Sequence, residues 1–382
     1  MIETRYIFQI LIPAIVGLIL LFLWVWAGRR KNLKKSLSSP YTEALSALID
    51  GDKIKAMNKF REVVKADTDN LDAYLKLGDI YRDYGKYPQA LRVHQSLTIR
   101  KELSNYQKLS MWKSLLLDYR MMKDWDSAIT QVENILDVDK NNLWARKELL
   151  EIYKRKGDWD GAVEAAKELQ KQQKQKDTET LALYQVQQGL EHRKKGEERE
   201  ARIIFKKALK TNSNCAAAHY FIGVSYLKEK RDKEAVEAWR MFVQTDPKHA
   251  YLVFDKLEEV LYELGNFEES QKIYEEIIDL DSGNVSAMAA LSDLYERRGN
   301  TKEGISILRK AVNSDKSSIR TRAYLIQMLL GSEVNKEVKK QLKSLISLTR
   351  RPRKFDCRIC GFHSDKPLWI CPDCLNEKTF LD

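Results

Sequence analysis

Eight small residues recur at nearly constant intervals: Ala56, Ala90, Ala128, Ala162, Ala201, Ala235, Ser270 and Gly304, spaced 34, 38, 34, 39, 34, 35 and 34 residues apart. A period of that length marks stacked supersecondary units, because each unit can bury its apolar face only against its neighbours. Other residues keep the register. Gly189 and Gly223 repeat Gly78; Tyr119, Tyr153, Tyr226 and Tyr295 repeat Tyr81; Phe60, Phe205 and Trp239 hold a large position in the second half of a unit. The pairs Gly85-Lys86, Gly157-Asp158, Gly265-Asn266 and Gly299-Asn300 punctuate the units, and Pro247 in "TDPKHA" begins another.

The clearest unit is "LDAYLKLGDIYRDYGKYPQALRVHQSLTIR", from Leu71, with the 34-residue spacing of a tetratricopeptide repeat. Tyr74, Leu77, Gly78 and Tyr81 mark its first helix; Ala90, His94 and Leu97 mark its second. Small residues let the two helices approach, and large apolar ones fill the space around them. Eight repeats are expected over 37–318, with short insertions before the third and fifth, and 319–348 as a helical cap. First helices line the inner wall of such an array, and that wall ordinarily grips a protein. By register the partner-binding candidates are Asp72, Leu75, Asp79, Arg82, Lys113, Arg120, Trp144, Lys147 and Glu151.

Residues 7–27, "IFQILIPAIVGLILLFLWVWA", carry no formal charge and as a helix would extend roughly 31 Å, enough for a bilayer core. The basic residues Arg29, Arg30, Lys31, Lys34 and Lys35 follow the apolar run instead of preceding it, which argues for an uncleaved anchor over a signal peptide. A buried core helix is the alternative, but the segment has no polar face. Trp24 and Trp26 suit the headgroup interface, and the positive-inside rule places everything after residue 28 in the cytoplasm. The net charge of +11 is concentrated. Residues 28–36 hold +5, 349–366 hold +4 and 367–382 hold −2, leaving only +4 over 37–348. That middle lacks the broad basic face of a nucleic-acid binder, so no nucleic-acid partner is expected.

Four of the five cysteines stand together near the end, Cys357, Cys360, Cys371 and Cys374, in "CRICGFHSDKPLWICPDC". Two C-x2-C knuckles can complete a tetrahedron around one Zn²⁺, with iron a chemically feasible substitute. A reducing cytoplasm disfavours disulfides, and the terminal domain, 355–382, is too short for an adequate core unaided. Four thiolates leave no position for a catalytic water. A redox pair and a nucleic-acid-binding ribbon are the alternatives. The first usually opens a helix after a strand, and the second is encouraged only by "RRPRK" at 350–354, which reads as a solvated linker (349–354). Phe355, Phe362, Trp369 and Phe380 are expected around the knuckles or against the repeats.

No enzyme is expected. His94, His192, His219, His249 and His363 are scattered, Cys215 opens an apolar helix, and no phosphate loop, dinucleotide turn or nucleophile–base pair is present.

The order of anchor (1–28), basic juxtamembrane segment (29–36), repeats and cysteine tail resembles the lipopolysaccharide assembly protein B family of Gram-negative bacteria. The motifs "CGFHSDKPLWICPDC" and "ALRVHQSL" carry the resemblance most specifically. It implies an all-α tetratricopeptide-repeat superhelix with an N-terminal transmembrane helix and a small C-terminal rubredoxin-like zinc-ribbon domain. The short loop between the cysteine pairs, and Leu375 where glycine is expected after the last cysteine, depart from electron-transfer rubredoxins and argue against redox duty. The resemblance also implies a single-pass inner-membrane adaptor whose bulk faces the cytoplasm. Such an adaptor helps the membrane protease FtsH degrade the deacetylase that commits carbon to lipid A, besides contacting other envelope-regulating membrane proteins. In that family the metal tail docks back onto the repeats. A scaffold that assembles envelope-biogenesis enzymes without controlling proteolysis is the second reading.

Overall fold

The computed structural model describes residues 39–266, 268–314, 319–329, 343, 346 and 355–380. The expected anchor, juxtamembrane segment and linker lie outside these. No helix among the described residues is long and apolar enough to cross a membrane.

Helices follow one another in pairs: α1 (Pro40–Ile49) and α2 (Lys53–Ala66), α3 (Leu71–Asp83) and α4 (Tyr87–Gln95), α5 (Asn105–Met121) and α6 (Trp125–Val138), α7 (Leu143–Lys156) and α8 (Trp159–Gln173). Next come α9 (Thr178–Lys194) and α10 (Glu198–Thr211), α11 (Ala216–Lys228) and α12 (Asp232–Thr245), α13 (Phe254–Glu263) and α14 (Glu269–Leu280), α15 (Val285–Arg297) and α16 (Thr301–Ser314), then α17 (Ile319–Leu329). Pro247 opens a 3₁₀ turn, Pro247–Leu252, ahead of α13. Side-chain oxygens of Asp52, Asn70, Asp124, Asp158 and Asp177 accept the orphan first-turn N–H groups of their helices, and Ser104 with Gln107 forms a full capping box. Two compact units divide within α7, between Ile152 and Tyr153.

The pairing has a steric cause. All eight periodic small residues lie on second helices, six of them alanines with no exposed surface. In five of the units a fully buried ring stands four residues beyond: Phe60, His94, Phe205, Trp239 and Tyr274. Opposite three of these the first helix carries glycine. A Cβ on Gly78 would lie 2.2 Å from the His94 ring, on Gly189 2.4 Å from Phe205, and on Gly223 2.3 Å from Trp239. Close approach here requires glycine, since real Cβ contacts are not that short.

The tail contains β1 (Phe355–Asp356) and β2 (His363–Ser364), antiparallel, and an isolated bridge between Ile370 and Glu377. It belongs to the second compact unit.

Candidate metal centre and its seat on the repeats

Each C-x2-C segment turns back on itself with the same hydrogen bond. Gly361 N–H donates to the Cys357 carbonyl at 2.8 Å, and Leu375 N–H donates to the Cys371 carbonyl at 2.9 Å. Both donors have positive φ, 74° for Gly361 and 58° for Leu375. Leucine costs about 1 kcal/mol in that conformation, offset here because its side chain is buried. The knuckles also donate to sulfur in one pattern. N–H groups of Ile359 and Cys360 reach Cys357, those of Asp373 and Cys374 reach Cys371, and those of Phe362 and Asn376 reach Cys360 and Cys374.

All four sulfurs lie within 4.8 Å of one another, with Cys357 and Cys374 3.6 Å apart and Cys360 and Cys371 3.5 Å apart. A tetrahedral ion with bonds of about 2.3 Å needs sulfur edges of about 3.8 Å, so the donor set fits. Its electrostatics ask for a cation. Burial resists ionisation of Cys357, but the Thr379 hydroxyl 3.1 Å away and the knuckle N–H groups prevail and draw its thiol down to about 6. The Phe362 N–H acts in the same direction on Cys360, yet desolvation and three neighbouring sulfurs push that thiol up to about 12. A divalent ion at this position would remove the conflict and hold all four as thiolates, leaving no ligand position open.

The centre is small and one-sided. Phe355, Phe380, Cys357 and Cys371 form a buried cluster, completed by Leu368 of the tail and by Leu252 of the 3₁₀ turn. Phe362 is partly exposed, its ring 6.3 Å from Phe380. Trp369 points the other way, 5.4 Å from the rings of both Tyr220 and Phe221 on α11, and is buried. Such aromatic pairs contribute about 1 kcal/mol each beyond area burial. Polar contacts flank them. Glu377 Oε1 accepts from Tyr184 Oη at 2.7 Å and from Lys154 Nζ at 3.4 Å, while Lys378 pairs with Glu179. The tail therefore sits on first helices, α7, α9 and α11.

Sequence reasoning missed Lys154, Tyr184, Glu377 and Tyr220 as a docking set. One signal was present: Arg82, Arg120, Lys154 and Arg193 each stand eight residues before a periodic alanine. In the structure each meets a carboxylate: Asp118, Glu148, Glu377 and Glu198 respectively.

The nine groove candidates, all in the first unit, separate into two kinds. Arg82 donates to Asp118 at 2.8 Å and pairs with Asp79; Asp118, fully buried, also meets His94 Nδ1 at 2.5 Å. Leu75 is buried, its carbonyl facing His94 Nε2 at 3.2 Å, and Arg120 pairs with Glu148. The structure thus brings Asp79, Arg82 and Leu75 into one internal network around His94, whose role is packing. Asp72, Lys113 and Lys147 are exposed, and Trp144 and Glu151 are half-buried. Asp72 accepts from Tyr41, and Lys113 lies over the Trp144 ring at 4.8 Å. Asp72 and Leu75 also line a cavity of about 440 Å³ with Tyr106 and Gln107. Cys215 is buried and its thiol is pushed up to about 11 by desolvation.

Residues 73–105, and separately 186–250 and 259–318, match family models described as tetratricopeptide repeat. The chain is 24% identical over 343 residues to lipopolysaccharide assembly protein B of Escherichia coli strain K12, covering 88% of this chain and 87% of that protein. It is 23% identical over 372 residues to lipopolysaccharide assembly protein B of Haemophilus influenzae, covering 91% of this chain and 92% of that one. Among solved structures it is similar to Naa15/Naa10 bound to HypK-THB, with a TM-score of 0.41, 15% identity, and coverage of 82% and 47% of the two chains. That likeness is too distant to bear on function.

Proposed function

We propose that the chain is a member of the lipopolysaccharide assembly protein B family and, on that premise, a non-catalytic, membrane-anchored adaptor that regulates lipopolysaccharide synthesis. It acts by bringing the lipid A-committing deacetylase to the membrane protease FtsH for degradation. The single observation that carries this reading is the similarity to lipopolysaccharide assembly protein B along nine tenths of the chain. Repeats of this kind bind proteins, and the anchor over 7–27 confines that binding to the inner membrane, with the repeats in the cytoplasm. Confinement raises the local concentration of client beside protease without requiring a tight contact with either. Cys357, Cys360, Cys371 and Cys374 hold one zinc ion, which supplies folding free energy to a tail too short to fold alone. Of the groove candidates in the first unit, the exposed Asp72, Lys113 and Lys147 are the partner contacts in this reading, with Trp144 and Glu151 half-buried beside them.

The scaffold reading shares every structural feature and differs in one consequence. Depletion of the protein raises the deacetylase level in the adaptor reading and leaves it unchanged in the scaffold reading. Immunoblotting during depletion distinguishes them.

A further inference from the structure

Two lysines of the second unit stand over tyrosine rings of a first helix. Lys154 Nζ lies 5.6 Å from the Tyr184 ring centre, and both side chains donate to the Glu377 carboxylate. Lys256 Nζ, on α13, lies 5.7 Å from the Tyr220 ring centre, and none of the described carboxylates pairs with it. The arrangement is the same, but only one of the two carries an acid.

The surroundings of Lys256 sharpen the difference. It is partly buried, and desolvation together with repulsion from Arg193 and Lys366 holds its pKa below the usual lysine range. Arg193 gives its Nε to Glu198 at 3.0 Å, while the guanidinium carbon lies 5.9 Å from the Phe221 ring centre. Glu198 is shared with Lys228, so it cannot neutralise the group. Arg193 and Lys256 therefore stand over an aromatic floor made by Phe221 and Tyr220, the rings that also receive Trp369, and Lys366 of the docked tail comes near enough to repel Lys256. Unbalanced charge in a partly desolvated place is costly to keep unless something binds there. Lys366 comes from the tail, three residues before Trp369, so the cluster is complete only when the tail is docked.

We propose that Arg193, Lys256 and Lys366 form a carboxylate-binding site that takes an acidic segment of a protein partner, and that docking of the metal tail assembles it. A peptide carboxylate suits the place because the neighbouring Lys154–Tyr184 pair already holds a glutamate of a folded chain, and the aromatic floor covers the stem of such a side chain. The proposal deepens the protein-binding reading above and rests on it.

The test uses purified full-length protein in detergent, loaded with zinc, and a fluorescein-labelled hexaglutamate peptide followed by polarisation, with hexaglutamine as control. Hexaglutamate is expected to bind and hexaglutamine not, with Lys256→Gln and Lys366→Gln each weakening binding about fivefold and Lys256→Arg retaining it. Trp369→Ala, which leaves all three cations in place, is expected to weaken binding as well by removing Lys366 from the cluster. Zinc content and thermal melting identify any variant that has lost its fold. Equal binding by wild type and the Lys256→Gln/Lys366→Gln double variant overturns the site. Binding of inorganic phosphate that depends on Lys256, with no affinity for hexaglutamate, overturns the assignment to an acidic peptide. If peptide binding fails while depletion still raises the deacetylase, the site is wrong and the adaptor reading stands; peptide binding without any effect of depletion gives the reverse.

Discussion

Trp369 of the tail meets Tyr220 of α11 with ring centres 5.4 Å apart, although 149 residues separate them in the chain. The tail is thereby seated by a side chain that does not ligate metal, which makes docking and metal binding separable. Trp369→Ala is expected to keep full zinc content while weakening the seat by about 3 kcal/mol. Limited trypsin digestion checks this through faster cleavage at 350–354 in the variant, with the released tail still carrying zinc.

The five cysteines should respond in order. With zinc bound, four thiolates are shielded and Cys215 is buried with its thiol raised to about 11, so little of it is thiolate at pH 8. Iodoacetamide at that pH should modify none in the native protein, four after chelation and five after denaturation, as counted by intact mass. Cys371→Ser should abolish stoichiometric zinc binding, measured by elemental analysis.

Replacing Gly78 by alanine would normally help a helix by about 1 kcal/mol. Here the new Cβ would lie 2.2 Å from the His94 ring, which is itself held between Asp118 and the Leu75 carbonyl and cannot retreat. A net loss of about 2 kcal/mol is expected from overpacking. Thermal melting of Gly78→Ala beside Gly85→Ala separates the effects, because Gly85 has open space and only a positive φ of 68° to lose.

Asp118 accepts from Arg82 and faces His94, with no exposed surface of its own. Asp118→Ala strands both partners and should cost about 3 kcal/mol. Asp72→Ala, at an exposed position of the same helical layer, should change stability by less than about 0.5 kcal/mol. Denaturant titration of the two variants gives the comparison.

These contrasts show what the sequence could convey. Repeat register is written in sterics: alanine at one position and a large ring four residues later leave little freedom, so Ala90 with His94 and Ala201 with Phe205 declare their helices. The four thiols are equally legible, because a knuckle is a local structure and C-x2-C encodes it within a few residues. Docking is not local. Glu377 finds Lys154 across 223 residues, and nothing near either residue names the other. Register predicted that Arg82 would face the inner wall, but not that Asp118 from the next repeat would engage it. Position within a repeat gives a side chain's direction, while its partner depends on how repeats stack.

The central claim is that the docked metal tail and the repeats act as one adaptor. It is tested most directly by pulse-chase decay of the deacetylase in cells expressing Trp369→Ala at native abundance in place of the wild-type chain. The account predicts a prolonged deacetylase half-life with the zinc content of the adaptor unchanged. A half-life equal to that with the wild-type chain, in cells where the tail is shown by proteolysis to be undocked, would contradict it.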